Sequence, residues 1–272
     1  MNRYSPKMKS YTDQIGNTLK LHHSPQRIVS IVPSQTELLF DLGLEERIVG
    51  ITKFCVHPYH FKSIKKIIGG TKKVHYEKIR LLNPDIIIAN KEENTREIVE
   101  ELQKIAPVWT SDIKTLEDNK AMIAEFGKIF DCRTEAQNLN HKIDFSLADF
   151  IRFIASKKEK KAAYFIWKNP YMVAGNDNFI NEMLKLNKFV NIYQSKGRYP
   201  EVEIQKIRSE DPDLIFLSSE PYPFKEEDAF EIGKFTHHTK TVFVDGEMFS
   251  WYGSRILKAF EYFKKLHSRL DS

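Results

Sequence analysis

The sequence predicts two α/β lobes with mainly parallel sheets, joined by one long α-helix. Three observations lead there. Short apolar runs alternate with helix-period segments along most of the chain, the pattern of parallel strands linked by crossover helices. One segment recurs: Glu77-Lys-Ile-Arg-Leu-Leu-Asn-Pro-Asp-Ile-Ile-Ile88 matches Gln205-Lys-Ile-Arg-Ser-Glu-Asp-Pro-Asp-Leu-Ile-Phe216 at a constant offset of 128 residues. Between the copies, Thr134 to Ser156 holds neither Gly nor Pro, and Leu139, Ile143, Leu147, Phe150 and Ile154 recur at the spacing of one helix face. Pro-Asp before a strand is common. Lys-Ile-Arg, Pro-Asp and an aliphatic run at one offset read as internal duplication. The division that follows is a Rossmann-like lobe over residues 1–131, a linking helix over 132–158 and a second lobe over 159–272.

Taken in order, Gly16-Asn17 marks the turn of a small hairpin, with Thr18 to Leu21 alternating after it. Arg27 to Val32 reads as a buried strand ended by Pro33. Ser34 with Glu37 suggests a capping box for a helix Gln35 to Leu42, and Gly43 suits its C′ position. Strand Arg47–Ile51, helix His75–Leu82, strand Ile86–Ala89, helix Thr95–Ile105, strand Pro107–Trp109 and helix Leu116–Phe130 follow. Thr134 with Gln137 suggests a second capping box, at the start of the long helix. The absence of a hinge residue in that helix implies limited movement of the lobes. Then come strand Ala163–Trp167, a helix Asn178–Leu186 capped by Asp177, and strand Phe189–Tyr193. Helix Val202–Ser209, strand Leu214–Leu217, strand Thr241–Val244 and helix Ser254–Leu266 complete the pattern.

Composition excludes several classes. The 42 basic and 37 acidic residues are interspersed and leave a net charge of +5, with no basic stripe of the kind nucleic acid requires. The longest apolar runs are too short to span a bilayer. Two cysteines, Cys55 and Cys132, make no disulfide framework. No phosphate loop, Gly-x-Ser-x-Gly elbow or His-Glu-x-x-His appears. No catalytic signature is therefore read in the chain, and the expectations are no enzyme activity, no required cofactor and a monomeric state. Its start, MNRYSPKMKSYTDQIG, is basic but has no apolar h-region, so no secretory signal is read in it.

In sheets of this kind ligands bind beyond the carboxyl ends of the strands. The loops expected there carry Ser34-Gln-Thr36, Phe54-Cys-Val-His57, Asn90 to Asn94, Trp167 to Tyr171, Arg198-Tyr199 and Glu247 to Tyr252. The run Met248-Phe249-Ser250-Trp251-Tyr252 has two readings. It is a flat stacking surface for a large planar or apolar ligand, or it is core packing. Cys55 and His57 are of metal-ligating type, but two residues do not complete a site. A loop histidine beside a buried cysteine, or a nucleophile if Cys55 were ionised, are the other readings. His22-His23 and His237-His238 read as exposed polar pairs, and Glu92-Glu93 and Glu226-Glu227 as solvated charge.

From Arg27 onward the chain resembles the substrate-binding proteins of ABC importers for cobalamin and iron chelates, the helical-backbone group. The resemblance rests on Arg27-Ile-Val-Ser-Ile-Val-Pro-Ser-Gln-Thr-Glu37, Leu82 to Ile88, Asn169-Pro-Tyr-Met-Val-Ala-Gly175, Tyr199-Pro-Glu-Val202 and Asp245-Gly-Glu-Met-Phe-Ser-Trp-Tyr-Gly-Ser-Arg255. It implies capture of a cobalt- or iron-containing chelate, such as a corrinoid, haem or ferric siderophore, in a cleft between the lobes. Ligand contacts are implied at Phe54, His57, Asn90, Trp167, Tyr199, Phe249, Trp251 and Tyr252, with His57 a candidate metal ligand. Asn90 and Tyr199 stand where the cobalamin binders carry tryptophan. An ABC permease is the implied membrane partner. The receptors' docking glutamates match Arg96 and Ser250, so Glu97 and Glu247, close by, are the candidates here. The resemblance implies an extracytoplasmic place, periplasmic or membrane-tethered. The signal-free start keeps a cytoplasmic alternative, an enzyme handling such chelates or corrinoids, for instance a chelatase.

Overall fold

The alternation read from the chain becomes two open sheets, each in its own compact unit. A computed structural model describes residues 8–271. Unit 1 comprises the chain to Asp112, Glu117–Lys142 and Tyr252–Arg255; unit 2 comprises Ile113–Leu116, Ile143–Trp251 and the chain from Ile256. Tyr252–Arg255 thus lies late in the chain but folds with unit 1.

Unit 1 begins with a hairpin, β1 (Lys9–Thr12) and β2 (Thr18–Leu21). Its turn is held by Asp13, whose carboxylate accepts the N–H of Asn17 at 2.7 Å and of Ile15 at 3.1 Å, while Gly16 takes a left-handed φ of 89°. The sheet is built from β3 (Ile28–Ser30), β4 (Ile48–Ile51), β5 (Lys66–Ile67), β6 (Ile86–Asn90) and β7 (Val108–Ser111), all parallel, in the order β5-β4-β3-β6-β7. Ile28 faces Ile86 and Ile87 faces Val108 in register. Both faces are covered, which is why the strands are apolar throughout rather than alternating. One face packs Val29, Ile31, Ile87 and Ala89 against Ile79, Leu102 and Val108. The connecting helices are α1 (Pro33–Asp41), α2 (Phe61–Ile64), α3 (Tyr76–Leu81) and α4 (Arg96–Gln103), followed by α5 (Leu116–Ile129).

The long helix is α6, Arg133–Ile154. Its 22 residues extend about 33 Å. Leu139, Ile143, Phe150 and Ile154 are buried as the periodicity requires. Neither capping box forms. Thr134 lies inside the first turn of α6. α1 begins at Pro33, with Val32 in the cap position and no side-chain cap, because Pro at the first helical position needs no donor partner. Glu37 is therefore released from capping, and it pairs with Arg255 instead. Gly43 does close α1, at φ 78°.

Unit 2 contains β8 (Lys160–Trp167), β9 (Met172–Val173), α7 (Phe179–Leu186), β10 (Phe189–Asn191), α8 (Ile207–Glu210), β11 (Leu214–Ser218), α9 (Glu226–Gly233), β12 (Lys240–Val244), α10 (Gly246–Ser250) and α11 (Ile256–Asp271). Its sheet order is β10-β8-β11-β12, parallel, with β9 returning antiparallel on β8. Ala163, Phe165, Ile215 and Leu217 pack on Ile204, Ile207 and Ile232. The cap of α7 is Asn178, which accepts from Asn181 N at 2.9 Å, one residue beyond the Asp177 expected. Asp177 takes φ 59° and pairs with Lys114 at 2.7 Å. Among the described residues no helix is long and apolar enough to cross a membrane.

Candidate functional site

Each sheet reverses its strand order once, between β3 and β6 in unit 1 and between β8 and β11 in unit 2. The crevice beyond the carboxyl ends at such a point is where open α/β sheets receive ligands.

In unit 1, β3 runs into the buried start of α1. Thr36 Oγ1 donates there, 2.8 Å from Ser30 Oγ and 2.9 Å from Val32 O. Asn90 ends β6 and is buried. Its Nδ2 donates to Ser111 Oγ at 2.9 Å, and its Oδ1 accepts the N–H groups of Glu92 at 2.8 Å and Glu93 at 3.0 Å. The amide is thus occupied in shaping the loop, and Asn90 is a turn-former where an aromatic ligand wall would be exposed. Gln35 Nε2 donates to Ser111 Oγ and, at 3.0 Å, to Tyr252 OH. Tyr252 is buried in unit 1 and its phenol is pushed up by that burial.

After β4, Phe54 is 49% exposed. Lys53 Nζ sits 4.9 Å from its ring centroid, and a Cβ on Gly70 would meet its Cε2 at 3.0 Å. Cys55 behind it is fully buried, its Sγ 3.2 Å from Thr36 Oγ1 and 3.3 Å from Thr52 Oγ1. Burial raises the thiol pKa, so Cys55 is no ionised nucleophile at neutral pH. His57 is half-buried. Among the described residues no three His, Cys, Asp or Glu side chains group to hold a metal ion.

In unit 2, Trp167 ends β8 and is 40% exposed, its ring edge-on to Tyr222 at 5.8 Å. The loop after β11 is tied to α10. Gly246 N donates to Ser219 Oγ at 2.9 Å, and Glu220 Oε1 accepts from Ser250 Oγ at 3.0 Å and from the Trp251 indole N–H at 2.8 Å. The run Met248–Tyr252 is not one surface. A helix turns successive side chains by about 100°, and α10 sends Phe249 inward, 5.0 Å from Tyr164, 4.8 Å from Phe263 and fully buried. Phe249 is therefore core, Trp251 is 8% exposed and pinned by its N–H, and Tyr252 belongs to unit 1. Tyr199 is half-buried in a loop bound to the end of β9, through Val173 N to Pro200 O at 3.1 Å and Gly175 N to Arg198 O at 3.0 Å. Gly175 is required there because a Cβ would stand 2.0 Å from Gly197 O.

Glu97 is exposed in the first turn of α4, where its own backbone N–H and the Thr95 hydroxyl hold its carboxyl below the ordinary range. Glu247 is half-buried in the first turn of α10. Sequence reasoning missed α9, whose Asp228 and Glu231 grip Lys168. Its signal was present: three acidic residues in a first turn, then Phe230 and Ile232 and a closing Gly233. A surface depression of about 650 Å³ elsewhere on unit 1, between β1 and α5, touches none of these strand ends.

Residues 28–238 match the model of the periplasmic binding protein family, and the chain belongs to that family, one of binding proteins rather than enzymes. It is 24% identical over 260 residues to the ABC transporter substrate-binding lipoprotein YvrC of Bacillus subtilis, covering 92% of this chain and 82% of that one. It is 26% identical over 203 residues to a vitamin B12-binding protein of Vibrio campbellii, covering 71% of this chain and 70% of that one. A periplasmic heme-binding protein from Pseudomonas aeruginosa superposes with a TM-score of 0.78 at 18% identity, over 89% of this chain and 92% of that one, a likeness of fold.

Proposed function

We propose that the chain is the substrate-binding protein of an ABC importer and captures a metal-containing macrocycle or chelate: a corrinoid, a haem or a ferric siderophore. The observation that carries this reading is the family match over residues 28–238, backed by relatives named for transport and for vitamin B12. The strand ends supply suitable chemistry. Exposed rings at Phe54 and Trp167 offer area to a large flat ligand at low entropy cost, and His57, Tyr199 and Trp251 are the further contacts proposed from their own segments. The lobes are taken as residues 1–131 and 159–272, with 132–158 linking them, and the working state as a monomer outside the cytoplasm. Glu97 and Glu247 are the proposed docking charges for the permease, since paired charges orient an encounter and speed it.

The test is an absorption spectrum of the purified chain after incubation with cyanocobalamin, haemin or a ferric hydroxamate siderophore, then desalting. One retained chromophore is expected. Loss of all three on the column contradicts the ligand class. For the partner, stimulation of the cognate permease's ATPase in nanodiscs should fall in the Glu97→Ala/Glu247→Ala variant. Equal stimulation by that variant removes both residues from docking.

A further inference from the structure

We propose that Lys168, Asp228 and Glu231 form a clamp that sets the pose of Trp167, which makes them positioning residues for ligand capture. The inference rests on the reading of Trp167 as a ligand contact. Trp167 is the last residue of β8, and the chain turns back at once through Lys168–Tyr171 into β9. The sheet holds this corner weakly. β9 is two residues long, and its register on β8 shifts between Phe165 and Trp167. Asn169 in the turn takes φ 64°, a left-handed conformation open to asparagine, so the pose of this corner depends on its surroundings.

Val202 N donates to Tyr171 O at 2.9 Å, and the side chains of the turn are held from α9. Lys168 Nζ lies 2.6 Å from Asp228 Oδ1 and 2.7 Å from Glu231 Oε2, and Tyr171 OH donates to Glu231 Oε1 at 2.9 Å. One carboxylate thus takes both ends of the turn. The Lys168 and Asp228 side chains are 16% and 6% exposed, so this is no solvated surface pair. At that burial screening is weak and removal of one partner is costly. Asp228 is itself fixed, because its Oδ2 accepts Lys225 N at 2.8 Å at the start of α9. Charge and hydrogen bonding agree: Lys168 and Tyr171 hold the Glu231 carboxyl low, and Lys168 with the Lys225 N–H outweighs the burial of Asp228. The residue before this anchored lysine carries the exposed indole. Tyr222 stands edge-on to that ring and itself packs on Phe224 at 4.8 Å. A fixed turn on one side and a fixed ring on the other leave the indole one pose. Pre-set poses lower the entropy cost of binding.

The test reads Trp167 directly. The chain has three tryptophans, so 5-fluorotryptophan labelling gives three ¹⁹F resonances, assigned with single Trp→Phe variants. Lys168→Met should shift the Trp167 line towards free 5-fluorotryptophan and sharpen it, leaving the Trp109 line in place. Lys168→Arg should restore it. Should the single variant fail to fold, Lys168→Met/Asp228→Asn/Glu231→Gln leaves no lone buried charge and keeps the same readout. Affinity for whichever chelate the native chain retains should drop roughly tenfold or more, as for loss of a central aromatic contact. A Trp167 line that stays put in both variants overturns the clamp. A line that moves while affinity holds supports the clamp and removes Trp167 from the ligand contacts.

Discussion

In unit 1, Asp85 Oδ2 accepts the backbone N–H of Gln26 at 2.7 Å and of Arg27 at 3.0 Å, and Asp85 N–H donates to Arg27 O at 2.8 Å. In unit 2, 128 residues on, Asp213 accepts Lys161 N–H at 2.6 Å and donates to Lys161 O at 2.9 Å. The residues two before them, Asn83 and Asp211, take φ 46° and 49°, and Ile79 and Ile207 are both buried. The repeat is thus one device used twice: a left-handed helix end, a proline, and an aspartate that stitches two strands at their amino ends. The copies part at the carboxyl ends. Asn90 bonds Ser111 and the loop after β6, while its counterpart Ser218 accepts from Tyr164 OH at 3.2 Å and donates to Glu220 O at 2.6 Å. The two copies share what aligns the strands and differ at the ends that the proposed ligand would meet.

The units also differ in what completes them. Unit 1 needs Tyr252–Arg255 from far along the chain. Arg255 grips Glu37 with two bonds, Nε to Oε2 at 2.7 Å and Nη2 to Oε1 at 2.9 Å, and both side chains are almost wholly buried. Gly253 N donates to Asn119 Oδ1 at 2.6 Å nearby. Glu37→Ala removes both of these bonds from a buried guanidinium and should cost about 3–5 kcal/mol in denaturant unfolding. Glu37→Met/Arg255→Met should recover most of it. A cost below about 1 kcal/mol would mean the pair is solvated.

Unit 2 should show its own pH dependence. Burial pushes His267 down to about 4. Its ring stacks on Phe189 at 5.0 Å and faces Asn187 Oδ1 at 3.2 Å, with Asp271, Lys157 and Lys160 in its field. The folded chain keeps this imidazole neutral where the unfolded chain takes a proton. Stability should therefore fall as pH drops from about 6.5 to 4, by on the order of 3 kcal/mol. His267→Gln should flatten that stretch of a stability-versus-pH curve, and an unchanged slope would show that other groups set it.

The smallest effect sharpens the comparison of the two corners. The Arg27 guanidinium adds bonds to Leu82 O at 2.9 and 2.7 Å, a fork that lysine at the matching Lys161 lacks. Asp85→Ala should cost about 1–2 kcal/mol, and Asp213→Ala about half of that. Equal costs would mean that the second backbone bond to Asp85 contributes nothing measurable.

Strand and helix order, the repeat and α6 were legible because they follow from local periodicity. The capping boxes do not form because Pro33 starts α1 without a side-chain cap, α6 begins one residue before Thr134, and Glu37 has a partner 218 residues away, beyond any local pattern. The candidate site was legible only as a set of loops. Phe54 and Trp167 stand exposed at strand ends, but Phe249 and Tyr252 went to separate cores because α10 and the return of Tyr252–Arg255 to unit 1 depend on tertiary packing. Asn90 was read for its position, whereas its amide chemistry made it a turn-former.

On the proposed function this chain binds one intact metal chelate. Native mass spectrometry of the chain mixed with equimolar cyanocobalamin, haemin and a ferric hydroxamate siderophore tests it most directly. A one-to-one complex with one of the three is expected, its mass that of the unaltered chelate. Bare chain with all three present, or a demetallated product in solution, would contradict it.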